Sequence, residues 1–128
     1  MVPYVWPQVQ PIIDRALVHS HGRLDASSQF DLLISGTDNL WVATKDDEII
    51  AAIVTQVATL PTGMRMLICL FCAGKEFSEW SEEMHQKLVS FGKDNGCKAM
   101  ELTGRKGWTR LLKRWDWETE YTVFRKEL

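Results

Sequence analysis

The junction Leu67–Glu83 constrains the fold more than any other stretch of this chain. Leu67-Ile-Cys-Leu-Phe-Cys72 is an apolar run of strand length. It passes almost directly into a long helix, in which Phe77, Trp80, Met84, Leu88 and Phe91 recur at helical spacing. Gly96 suits the left-handed position that ends a helix, and Cys97-Lys-Ala-Met-Glu-Leu102 then reads as a further strand. A strand–helix–strand unit of this kind predicts a right-handed parallel crossover, with the helix on one face of a sheet. The start of the helix is unusual. Free N–H groups and the helix dipole make such an end attractive to anions. Here it carries Glu76, Glu79, Glu82 and Glu83, and the junction's only glycine is Gly74. Acids in a first turn also stabilise a helix by a few tenths up to ~1 kcal/mol each.

The flanking sequence supplies the remaining elements. Pro7 and Pro11 suit a first helical turn, and Val9, Ile12, Ile13, Ala16 and Leu17 continue a helix to about Ser20. A short helix follows, capped by Asp25 or Ser27, carrying Phe30, Leu33 and Ile34 and stopped by Ser35-Gly36. Leu40–Thr44, the turn Asp46-Asp47, the β-branched run Glu48–Thr59, the turn Pro61-Thr-Gly63 and Met64–Cys72 predict an antiparallel meander. After the central helix and the Cys97–Leu102 strand, Trp108, Leu111, Leu112 and Trp115 share one face of a last helix. Glu120-Tyr-Thr-Val-Phe-Arg125 reads as a closing strand. The expected order is α-α-β-β-β-α-β-α-β: an α/β (α+β) domain spanning residues 1–128, its mixed, mostly antiparallel sheet flanked by helices.

Composition narrows the function classes. The formal charge is −2, so global electrostatics favour neither nucleic acid nor a membrane surface. No run of about 18 apolar residues predicts a transmembrane helix, and the first residues lack the layout of a targeting peptide. Cys69, Cys72 and Cys97 suggest free thiols in a reducing compartment. Cys69-x-x-Cys72 has metal or redox spacing, but residues three apart on a regular strand face opposite ways. Buried structural thiols are therefore expected, and no metal. His19-Ser-His21 reads as a solvated helix end, and Glu82-x-x-His85, half of a di-iron motif without its second copy, as a polar surface. Ser78 and Ser81 have no sequence context for a nucleophile.

Three segments carry a resemblance to a known family. Asp94-Asn-Gly-Cys-Lys-Ala-Met-Glu-Leu102 is similar to the stretch where the central helix of the GNAT acetyltransferase superfamily ends and enters the next strand. Gly107-Trp-Thr-Arg-Leu-Leu-Lys-Arg-Trp-Asp-Trp117 resembles that family's late helix, and Leu40–Val54 resembles its second-to-third strand hairpin. The resemblance covers about residues 7–126, with the family's first and last strands reduced or missing. The Gly104-Arg-x-Gly-Trp108 turn looks most like small GNAT-like proteins encoded by tailed phages.

The resemblance implies that acetyl-CoA would lie between splayed strands at the Met64–Cys72 and Cys97–Leu102 positions. Phe71, Cys72, Lys75 and Ser81 are then the positional candidates for cofactor contact. Counting back from Gly96-Cys97, the family's Arg/Gln-x-x-Gly-x-Gly/Ala pyrophosphate loop falls with its Arg/Gln on Glu76 and its small residues on Glu79 and Ser81. A carboxylate a few ångströms from a pyrophosphate is repelled by about 1 kcal/mol or more even when solvated, which Lys75 would offset in part. The family's proton-donating tyrosine falls on Leu112, which cannot transfer a proton; Tyr121, Glu48 and Glu101 have no pattern to support them as replacements. No catalytic residue is assigned.

The leading expectation is a GNAT-fold protein with a degenerate acetyl-CoA loop. It would need no cofactor and act by binding as a phage virion or assembly component, in the host cytoplasm or within a particle. The alternative is an active N-acetyltransferase using acetyl-CoA through an atypical loop. A third reading is nucleic-acid binding by the last helix, where Lys106, Arg110, Lys113 and Arg114 lie near Trp115 and Trp117. Without a basic net charge, Lys106, Arg110, Lys113, Arg114 and Trp117 point to an acidic protein partner sooner than to nucleic acid.

Overall fold

A computed structural model of the chain describes residues 2–18, 22–104 and 108–128. His19-Ser-His21 and Lys106 lie outside the described residues. The elements are α1 (Val2–Leu17), α2 (Ala26–Ile34), β1 (Asn39–Lys45), β2 (Glu48–Thr59), β3 (Arg65–Gly74), α3 (Phe77–Asp94), β4 (Cys97–Leu102) and α4 (Thr109–Arg114). The sheet order is β1-β2-β3-β4. The first two pairings are antiparallel and the β3–β4 pairing is parallel, with α3 making the crossover.

β2 is the central strand of the core. Ala52 and Val54 join Val9, Ile12, Ile13 and Leu33 under α1 and α2. Ile53 joins Leu67, Met84 and Leu88 under α3. Successive β2 side chains thus face different helical layers, which is why this strand is β-branched without polar alternation.

Two expectations need correction. α1 starts at Val2, so Pro7 and Pro11 sit inside the helix. An interior proline costs about 3 kcal/mol through its missing N–H and its clash with the carbonyl four residues back. Here Pro3, Pro7 and Pro11 are spaced by four along an exposed stripe, so the freed carbonyls of Pro3 and Pro7 belong to solvent-facing residues. Val2, Val5 and Trp6 pack on the core from the opposite side, and that burial carries the extra turn. The second correction is at the end of the chain. Residues 120–125 form no strand; Tyr121, Val123 and Phe124 are exposed, and among the described residues the sheet has four strands.

Candidate functional site

The parallel ladder between β3 and β4 ends at Cys69↔Leu102, whereas β3 continues paired with β2 to Gly74. Among the described residues, Leu70–Gly74 therefore has a paired strand on the β2 side only. The divergence of the two strands opens a cleft of about 1340 Å³, walled mainly by α1, β3, α3, β4 and the residues around α4, with Arg23 and Leu24 before α2, Ile53 of β2 and Val123 of the C-terminal segment also lining it.

A β-bulge sits where the strands part. Val54 pairs with Phe71 and Thr55 with Cys69, leaving Leu70 as the extra residue on β3. The bulge resets the alternation of side chains along the strand. Leu67, Cys69 and Cys72 all pack toward α3, while Phe71 and Ala73 pack toward α1. Cys69 and Cys72 thus share one face, contrary to the regular-strand expectation. Burial raises the Cys69 thiol to about 11. Burial, with a smaller contribution from Cys69, raises Cys72 to about 12. Both are protonated at neutral pH and poor nucleophiles. No group of three or more metal-ligating side chains occurs among the described residues.

The start of α3 is held by contacts within the protein. Gly74 has φ +134, and a Cβ there would collide with Ala51 and lie 2.5 Å from the Ile50 carbonyl oxygen. Its lack of a side chain is used to bring β3 against β2. Glu76, the N-cap, is left-handed at φ 56. Lys45 of β1 reaches both carboxylates, with Nζ 2.8 Å from Glu76 Oε1 and 3.0 Å from Glu79 Oε2. The hydrogen bond from Lys45 holds the Glu76 carboxyl below its ordinary pKa, and the two carboxylates raise that of Lys45. The Trp80 indole N–H donates to the Lys75 carbonyl at 2.9 Å. Phe77 contacts Trp80 and Trp108 edge-on, each at 5.0 Å, and so bridges the starts of α3 and α4.

Phe71, Cys72 and Ser81 line the cleft together, whereas Lys75 does not. Leu112 lines it too, at the position compared with the family's tyrosine. Tyr121 is 78% exposed and outside the lining, as are Glu48 and Glu101. Arg110, Lys113 and Arg114 are exposed on α4. Trp117 turns inward and donates its indole N–H to His85 Nε2 at 3.0 Å. Trp115 stacks on the same imidazole at 4.2 Å.

His85 is a correction to the sequence reading, which treated it as polar surface. It is half-buried in the cleft wall. An indole can only donate, so Nε2 must be an acceptor and the ring neutral with its proton on Nδ1. Burial lowers its pKa below the ordinary value, in the same direction. The signal was present in the sequence only as an α3 position three residues from Leu88, with Trp115 and Trp117 thirty residues away. Lys45 carried no sequence signal, because its partners lie on another element.

Compared by sequence, the chain matches no family model and no curated protein. Several of the solved structures on which the chain superposes are described as acetyltransferases. Ribosomal-protein-alanine N-acetyltransferase from Brucella melitensis biovar Abortus 2308 superposes with a TM-score of 0.75 at 11% identity, covering 98% of this chain and 93% of that one. The tetramutant of the BH1408 protein from Bacillus halodurans gives 0.74 at 16% identity, covering 98% and 95%. A predicted acetyltransferase with acetyl-CoA from Clostridium acetobutylicum gives 0.73 at 16% identity, covering 97% and 90%. The chain therefore has the GNAT fold, in a mixed α/β form with a four-stranded sheet.

Proposed function

We propose that this GNAT-fold protein works by binding and does not transfer acetyl groups. The observation that carries this reading is the start of α3. A pyrophosphate there needs small residues and open backbone N–H groups. The chain instead has Gly74 committed to the sheet and Glu76 and Glu79 clamped by Lys45. These residues do not fit the cofactor's diphosphate. Leu112, at the position of the family's tyrosine, cannot protonate a departing thiolate, and the two protonated thiols are poor nucleophiles.

Isothermal titration with acetyl-CoA and with CoA tests the reading. Silence at millimolar ligand is expected. Low-micromolar binding would overturn the binding reading in favour of the enzyme reading, which the open β3 edge at the bulge supports.

Arg110, Lys113 and Arg114 form an exposed basic face, which we assign to an acidic protein surface. The resemblance of the Gly104–Trp108 turn to tailed-phage proteins supports a virion or assembly component as that partner. Co-purification with particles is expected, and an isolated monomer confined to cytosol would count against it. DNA retention at physiological salt should be equal for the wild type and an Arg110→Ala/Lys113→Ala/Arg114→Ala variant; a loss in the variant would favour nucleic acid.

A further inference from the structure

The walls of the cleft do not share the sign of the whole chain. The net charge is −2, yet among the described residues the lining includes Arg15 and Arg23 and no aspartate or glutamate. Neither arginine makes an ion pair among the described residues. Most of the remaining lining is apolar, with Trp80, Trp115 and Trp117 on the α3–α4 side. Such a site repels a protonated amine and suits a carboxylate attached to apolar groups.

The shape of the cleft selects among acidic ligands. Its volume of about 1340 Å³ exceeds the roughly 300–1,000 Å³ of compact small-molecule sites. Its floor includes Leu70–Gly74, the part of β3 beyond its last β4 partner. Five residues at about 3.3 Å each offer ~16 Å of strand edge, enough for an extended peptide to pair by its backbone. Side chains of such a peptide alternate between faces, so one set can meet the aromatic wall and the other the arginines.

We infer that the cleft receives an extended peptide of alternating acidic and apolar residues, paired on the Leu70–Gly74 edge, with Arg15 and Arg23 reading its carboxylates. This inference rests on the binding reading above and names the partner's chemistry.

Three pools of capped hexapeptides test it on the full chain. One alternates Asp or Glu with Val, Leu or Phe; the second has Lys for the acids; the third has Ser for the apolar residues. Binding is read by tryptophan fluorescence and by amide hydrogen exchange at residues 70–74. The acidic–apolar pool should bind at least about tenfold more tightly than either control and should slow exchange at Leu70–Gly74. An Arg15→Glu/Arg23→Glu variant, altered only at exposed positions, should erase or reverse the preference over the Lys pool. Equal binding of the acidic and Lys pools would overturn the inference, and so would no binding by any pool. Sodium decanoate binding without protection at residues 70–74 would assign the cleft to small acids and overturn the peptide. Peptide silence with acetyl-CoA silence sinks this inference alone, whereas micromolar acetyl-CoA binding sinks the binding reading beneath it.

Discussion

His85 shows how one side chain can tie a cleft wall to solution pH. Its neutral ring accepts from Trp117 and stacks on Trp115, and its pKa lies below the ordinary value because burial disfavours the cation. The sign follows from which state takes up the proton. As pH falls through about 6.5, the unfolded chain protonates His85 before the folded chain does. Stability from this group is therefore present above that pH and lost below it. Between pH 7.5 and 5.5 the wild type should lose more melting temperature than His85→Gln, whose side-chain oxygen can still accept from Trp117. Equal losses in thermal melts of the two proteins would remove His85 as the titrating group. Gly74 makes a second prediction at this scale. Gly74→Ala must push Ala51 and the Ile50 carbonyl away and hold alanine at φ +134. It should cost on the order of 2 kcal/mol or more in urea unfolding. Leu67, fully buried under α3, should cost about 2–5 kcal/mol as Leu67→Ala in the same assay.

At the scale of elements, turns and bulges decide what each strand presents. β1 and β2 join through Asp46 and Asp47, with φ 51 and 65 and Lys45 paired to Glu48. This is a two-residue loop with both central residues left-handed, where glycine or asparagine is favoured. Asp47→Gly should stabilise the protein by a few tenths up to about 1 kcal/mol, measured by the shift in urea midpoint. The turn was legible in the sequence because Asp-Asp sits between two β-branched runs. The Leu70 bulge was not. No residue type marks it, and the register of β2 against β3 alone reveals it. Its consequence is that two cysteines assigned to opposite faces share one. The α1 boundary failed for a related reason. Proline preference placed the start at Pro7, and packing by Val2, Val5 and Trp6 moved it to Val2.

For the whole molecule, the C-terminal segment separates pattern from structure. Glu120–Arg125 has strand-like composition but no strand partner, and residues 118–128 are exposed. A chain ending at residue 117 should retain the cooperative melt and far-ultraviolet circular dichroism of the full protein, with a fall in melting temperature of only a few degrees. Loss of the cooperative transition would mean that this segment completes the sheet. Residue order by itself pointed to the eight elements seen among the described residues, to their sequence and to the crossover through α3, along with a ninth element, a closing strand that does not form. These depend on periodicity, glycine at turns and β-branching, all of which are local in the chain. It also exposed the acidic start of α3 as the point to question. Only the tertiary structure placed Lys45 between Glu76 and Glu79, brought His85 to Trp115 and Trp117, and set Arg15 and Arg23 at a cleft whose described lining holds no carboxylate. Those pairings join residues about thirty or more positions apart, or gather them from several elements. Their energies arise from contact and burial, which no local pattern encodes.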